Sequence, residues 1–158
     1  MTVENIRHFV VRVYGLIIND KKEVLLTDEY QLGMKMTKFP GGGLEFGEGP
    51  VDCIKREAYE EFGQEVKVID HFYTTDFFQK ALFYKKHQII SIYYLLEFED
   101  RIRFKISNKS FDFPELKEGN QSFRWKAIKD LIEDDVSFPI DKVVVKLLKE
   151  RIVQTRVT

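Results

Sequence analysis

Hydrophobic and polar positions alternate in short stretches along most of the chain. Residues 9–18 are rich in β-branched side chains and stop at Asn19-Asp20-Lys21-Lys22, after which Val24-Leu25-Leu26 is again apolar. That pattern predicts two strands around a turn. Longer strands are predicted over 66–78 and 88–98. In the second, Ile90, Ile92, Tyr94 and Leu96 alternate with Ile89, Tyr93 and Leu95. Both faces are therefore apolar, as in a central strand covered on each side. A short strand over 123–127 leads into a helical turn near Asp130.

Two stretches carry a helical period instead. After Pro139, apolar Val144, Leu147, Leu148 and Ile152 recur at helical spacing, with Lys146 and Lys149 facing outward. The other helix runs over 50–62, where Val51, Ile54, Ala58 and Phe62 form one stripe. Proline at 50 suits a first helical turn, and Gly63 suits the left-handed position just past the end. Strands flanked by helices predict an α/β class chain, a layered sandwich around a mixed β-sheet.

At 158 residues, without a Pro/Gly/Ser linker or repeat, the chain reads as one domain over 1–158. Lys and Arg total 25 against 26 Asp and Glu. This balance excludes a general nucleic-acid coating role, which needs a basic excess. The lone Cys53 excludes an intrachain disulfide and a multi-thiolate zinc site. The opening Met1-Thr2-Val3-Glu4 lacks the basic flank and apolar run of a signal peptide. Even the apolar run 89–96 contains Ser91 and falls short of the roughly 18 residues a spanning helix needs. A soluble cytoplasmic chain with no membrane association is expected.

The chemistry concentrates in one segment. Five of the nine glycines fall within residues 41–49, directly before the 50–62 helix. Clustered glycines allow tight turns and close backbone approach to a ligand or metal. On the helix, Glu57, Glu60 and Glu61 sit at i, i+3 and i+4, where like charges repel by roughly 0.2–0.5 kcal/mol per pair. Such a face is either a solvated acidic surface or a divalent-cation site, since carboxylate oxygens suit Mg²⁺ or Mn²⁺. The full string Gly42-x5-Glu48-x7-Arg56-Glu57-Ala58-x-Glu60-Glu61-x-Gly63 has a chance probability on the order of 10⁻⁸ per window at average residue usage.

That string resembles the box of the Nudix (MutT-like) hydrolase family, G-x5-E-x7-R-E-U-x-E-E-x-G-U with U a bulky aliphatic residue. The preceding Phe39-Pro40-Gly41-Gly42 resembles the usual approach to it. Ala58 is a small version of U, and Gln64 replaces the final aliphatic, a change expected to weaken packing only. The resemblance implies a Nudix-type α/β/α sandwich and hydrolysis of a nucleoside diphosphate linked to another moiety, by water attack at phosphorus with divalent metal help. It also implies a metal site of Glu57, Glu60 and Glu61 with the carbonyl of Gly42 or Gly41. Arg56 would orient a glutamate, and Glu48 would support from outside.

For the general base, Glu118 in Lys117-Glu118-Gly119 resembles the loop glutamate of several Nudix enzymes, with Glu115 and then Glu97 or Glu99 as alternatives. On this reading Glu118→Gln lowers turnover at least about tenfold. A nucleotide ring has Phe83, Tyr84 or Trp125 to stack on, each otherwise a core aromatic. Lys35 and Lys38 meet distal phosphates or face solvent, and Asp141 reads a purine edge or caps a helix. The signatures of the ADP-ribose and coenzyme A sub-families are missing. The expected partner is a small-molecule nucleotide derivative, with homodimerisation expected by resemblance. Competing readings are a non-catalytic Nudix-like nucleotide-sensing module and an isoprenoid diphosphate isomerase. The full glutamate set disfavours the first, and the position of Cys53 inside the box helix disfavours the second.

Overall fold

The computed structural model describes Val3 and residues 5–157, with 152–157 described by backbone alone. Its elements are β1 (His8–Ile17), β2 (Glu23–Gln31), β3 (Met34–Lys38), β4 (Gly41–Gly43), α1 (Pro50–Phe62), β5 (Val66–Thr74), β6 (His87–Phe98), β7 (Gln121–Ala127) and α2 (Pro139–Val157), with two single 3₁₀ turns between β7 and α2. A four-stranded sheet is ordered β4-β1-β6-β5, and a three-stranded sheet β3-β2-β7. In the first, β1 and β6 run parallel while the other neighbours run antiparallel, so this sheet is mixed. The second is antiparallel throughout. Strands β1 and β2 do flank the turn at 19–22, yet they part into different sheets and share only the bridge Ile18–Val24.

The side-chain alternation of β1 sorts the core into two layers. Val13 and Ile17 pack with Ile54, Ala58 and Phe62 of α1, while Tyr14 and Leu16 pack with Ile140, Val144 and Leu148 of α2. In β6, Ile92, Tyr94 and Leu96 join the α1 layer and Ile89, Tyr93 and Leu95 the α2 layer. The two apolar faces read in its sequence thus cover both sides of a central strand. Gly15 faces α1, where a Cβ would collide with the Leu96 side chain. The result is an α/β/α sandwich.

Both helices start at the prolines expected. The α1 helix ends at Gly63 with φ of 66°, whose N–H bonds the Tyr59 carbonyl. Its stripe differs in one member: Val51 is exposed and Cys53 takes the buried place. The strand expected over 66–78 stops at Thr74. There the Tyr73 hydroxyl bonds Asp76, and the chain folds back to bridge Lys80 to Gln88. Lys149 does not face outward; its ammonium bonds the Leu131 carbonyl. The Ile152 side chain lies outside the described residues. No helix among the described residues is long and apolar enough to cross a membrane.

Candidate active site

Helix α1 presents its acidic face to the glycine strand β4. Gly42 has no room for a Cβ, because one would strike the Glu57 carboxylate. Arg56 sits at the centre of this face. Its Nε and Nη2 donate to Glu48 at 3.0 and 2.7 Å, its Nη1 to Glu57 at 3.0 Å, and its Nη2 also to the Gly43 carbonyl at 3.0 Å. Weaker bonds of 3.3 Å reach both oxygens of Glu60, which is largely exposed. The forked donors of Arg56 hold the Glu48 carboxyl down near a pKa of about 2, with help from the Glu45 N–H. The same partners raise the Arg56 pKa.

Glu61 points the other way, into the protein. One oxygen accepts from the Gln121 amide at 3.1 Å, while Oε2 is buried with no hydrogen-bond partner. Burial pushes its pKa up to about 7, against the opposing pull of Lys38. The Gln121 amide also donates to Glu29 at 3.0 Å, and Glu29 lies 3.6 Å from the Lys38 ammonium. Lys38 is buried, and it stays charged because Glu29, Tyr14 and Glu61 outweigh the cost of burial. The alternative of a solvated Lys38 is thereby ruled out.

Beyond Lys38 the α2 side of the sheet opens into a cavity of about 410 Å³, within the range of small-molecule sites. Arg12, Tyr14 and Lys38 line one wall, and Phe83, Tyr84 and Phe138 another. Asp141 closes the far end. Its Oδ1 accepts the Tyr93 hydroxyl at 2.6 Å, and its buried Oδ2 has no partner. Burial lifts its pKa to about 6 despite the Tyr93 bond. Asp141 thus makes a tertiary bond to β6, and no helix-capping bond. Trp125 stays with the α1-side core, away from this cavity.

A NUDIX domain profile matches residues 8–147, most of the chain. The chain belongs to the Nudix family. Solved structures of this family share its fold. A MutT of Aliivibrio salmonicida or Vibrio cholerae, described together, has a TM-score of 0.61 at 23% identity, covering 90% of this chain and 98% of that one. A MutT Nudix hydrolase from Burkholderia pseudomallei has 0.66 at 17%, with coverages of 89% and 98%. An ADP-ribose pyrophosphatase from Streptococcus suis has 0.58 at 15%, with 90% of each chain covered. No curated protein matches the sequence.

This Nudix hydrolase sets Gly42, Arg56 and Glu57 against one another, with Glu60 at the exposed end of the same face and Glu61 turned inward to Gln121. It does not bring Glu118 to them as a free carboxylate. Both Glu118 oxygens are engaged, by the N–H groups of Leu32 at 2.9 Å and Gly33 at 2.6 Å. Leu32 and Gly33 form the β2–β3 turn with φ of 53° and 72°. Leucine resists that left-handed backbone by about 1–2 kcal/mol, and the carboxylate helps to hold it. Glu115 contributes only its carbonyl, which accepts from Asn120.

Sequence reading missed Arg12, Glu29 and Gln121. They lie on β1, β2 and β7 with no local spacing that connects them. Cys53 is buried, donates to the Gly43 carbonyl and has its pKa raised to about 12 by burial, which makes it a poor nucleophile.

Among the described residues, no three His, Cys, Asp or Glu side chains already converge as a metal cage. The donor set nevertheless fits a hard divalent cation. Glu61 offers a buried unpaired oxygen, Glu57 lies against Gly42, and magnesium keeps several waters and needs few protein ligands.

Proposed function

We propose that this Nudix hydrolase cleaves the diphosphate of a nucleoside diphosphate linked to another moiety, with Mg²⁺ or Mn²⁺ held by Glu57, Glu60, Glu61 and the Gly42 carbonyl. The carrying observation is the buried, unpartnered Oε2 of Glu61, on a carboxylate face whose neighbours lead through Gln121, Glu29 and Lys38 to an aromatic-walled cavity. A buried acceptor with no donor is costly unless something arrives to use it. The bound cation would neutralise phosphate oxygens and lower the pKa of a bound water.

The chain's own residues do the rest. Arg56 clamps Glu48 and Glu57, so that the carboxylates are set before substrate enters. The amide of Gln121 fixes one Glu61 oxygen and leaves the other free, the available acceptor for a cation or a water proton. Glu118 secures the β2–β3 turn, which leaves the box glutamates to serve the chemistry. In the cavity the nucleoside ring stacks against Phe83, Tyr84 or Phe138, and Asp141 Oδ2 accepts from a ring N–H. Guanine meets that acceptor best, with a ring N–H and an amino group side by side, whereas adenine and cytosine offer only an amino group and uracil or thymine only a ring N–H.

The test is release of phosphate-containing products from a panel of nucleoside triphosphates, ADP-ribose, nucleotide sugars, dinucleoside polyphosphates and NADH, with Mg²⁺ or Mn²⁺. Metal-dependent cleavage of one class, lost in Glu61→Gln, is expected. Tight nucleotide binding with no cleavage of any of them would favour the sensing module instead. Homodimerisation, proposed from the family resemblance, is checked by light scattering, where a monomer at every concentration overturns it.

A further inference from the structure

We propose that Arg12 is an anion-binding residue whose guanidinium fork takes the oxygens of the phosphate nearest the nucleoside. This deepens the reading above and rests on it for the nucleotide alone. The other arginines around this site are fully engaged. Arg56 serves Glu48, Glu57, Glu60 and Gly43, and Arg124 makes a two-pronged pair with the buried Asp28 at 2.7 and 3.2 Å. Arg12 differs from both. Its Nε donates to the Tyr14 hydroxyl at 2.9 Å, and among the described residues no carboxylate comes within ion-pair reach of it. Its Nη1 and Nη2 donate to no described group.

The surroundings make that vacancy informative. Arg12 lies on the cavity face of β1 and is partly buried. Its Nη donors stay solvent-accessible, so an entering anion has only water to displace from them. Its orientation is nevertheless fixed. The Tyr14 hydroxyl holds Nε, and the Tyr14 ring lies 5.6 Å from the guanidinium carbon. That ring also stacks on Tyr93 at 5.2 Å, which in turn bonds Asp141. A continuous set of packed rings therefore ties the guanidinium to the far end of the cavity.

Space is available too. In register, Arg12 pairs with Gly43, and a Cβ there would sit 3.8 Å from Nη1. A glycine backbone leaves the volume above β4 open. The second cation beside Tyr14 is Lys38, 5.7 Å from the ring, and Glu29 is its one carboxylate within ion-pair reach. Two cations thus flank Tyr14 and only the Lys38 side is matched. Glu57 lies near enough to act on Arg12 electrostatically, as Glu61 does on Lys38. An anion at Arg12 would therefore adjoin the glutamate face. A phosphate fits best, since its oxygens match two parallel N–H groups of one guanidinium.

The experiment measures binding to the metal-free protein in EDTA, by calorimetry and thermal shift, with inorganic pyrophosphate and AMP as probes. Wild type is expected to bind both, with Arg12→Gln weaker by at least about tenfold and Arg12→Lys intermediate. Without ligand, Arg12→Gln should melt close to the wild-type temperature, because the terminal donors have no protein partner to lose. A purely structural Arg12 would do the reverse, lowering that temperature and leaving probe binding intact. Tyr14→Phe gives a second route. It keeps the guanidinium but frees Nε, and should weaken pyrophosphate about threefold or more.

Equal pyrophosphate binding by wild type and Arg12→Gln overturns the inference, as does no binding by wild type. The function reading fails separately. A protein that binds pyrophosphate through Arg12 but cleaves no nucleotide loses that reading alone, while one that cleaves nucleotides and binds anions without Arg12 loses only this inference.

Discussion

The glutamate face of α1 and the cavity under α2 are neighbours across the mixed sheet, and they are built in opposite ways. On the glutamate face one arginine is shared among Glu48, Glu57 and Glu60, all within eight residues of it, and only Glu61 turns to a distant partner, Gln121. In the cavity the polar groups come from β1, β2, β3, β6 and α2; the Oδ2 of Asp141 is buried without a partner, and the Nη donors of Arg12 meet no described protein group. The first region is pre-set by its own contacts. The second is completed by what enters it. Rigidity suits the groups that must be aligned before reaction, whereas open hydrogen-bonding capacity suits the groups that select the ligand.

The contrast can be broken at its strongest point first. Glu61→Gln should lower turnover by at least about a hundredfold, as loss of a key electrostatic group does. It should also abolish stabilisation by Mg²⁺, which for wild type at a hundredfold excess over Kd is about 2.7 kcal/mol. Thermal melts with and without the cation read this directly, and an unchanged cation response would remove Glu61 from the metal site.

Next in size is Arg56→Lys. An ammonium cannot span Glu48 and Glu57 together, so turnover should fall about 10- to 100-fold, the range for groups that orient metal ligands. Retention of more than half the activity would show that the face does not depend on its shared arginine.

Asp141→Asn sharpens the other side. The mixed donor and acceptor character of an amide should shift base preference, seen as an approximately tenfold change in KM between purine substrates with kcat little altered. It also carries a pH signature. The folded pKa of about 6 lies above the ordinary 3.8, so the folded protein holds this proton more tightly. Stability is then greatest below pH 4 on this account and declines as pH rises from about 4 through 6, by about 3 kcal/mol in all. Melting temperatures of the variant should lack that decline, and parallel curves for the two proteins would contradict it.

The smallest effect belongs to Glu118→Gln. With its carboxylate spent on the Leu32–Gly33 turn, turnover should stay within about threefold of wild type while the melting temperature falls. A tenfold loss of turnover with an unchanged melt would return Glu118 to the chemistry.

What could be read in the sequence follows the same division. Arg56, Glu57, Glu60 and Glu61 share one helix with Gly42 just upstream, so their relation is written in spacing that a 3.6-residue period turns into geometry. Arg12, Glu29 and Gln121 have no such relation. Each meets its partners only because β1, β2 and β7 are placed by long-range pairing, which no local pattern encodes. The two shortest strands escaped notice for a related reason. Residues 34–38 show weak alternation, and three consecutive glycines at 41–43 look like loop until the β1 ladder is seen. Val51 fell off the expected stripe because α1 meets the sheet nearer Cys53. Glu118 matched a family position by sequence, but a strained turn claimed its carboxylate.

Gln64 carries a lesson for redesign. At this position the family pattern favours an aliphatic side chain, and by that pattern alone the amide is a defect to be repaired. Here it is buried, its nitrogen donating to the Arg101 carbonyl at 2.9 Å and its oxygen accepting from the Arg103 N–H at 2.7 Å. Those two bonds stitch the end of the box to the long connection between β6 and β7. Restoring the aliphatic of the box pattern would therefore strand two backbone groups without partners. A departure from the pattern is here a position that is not free to revert.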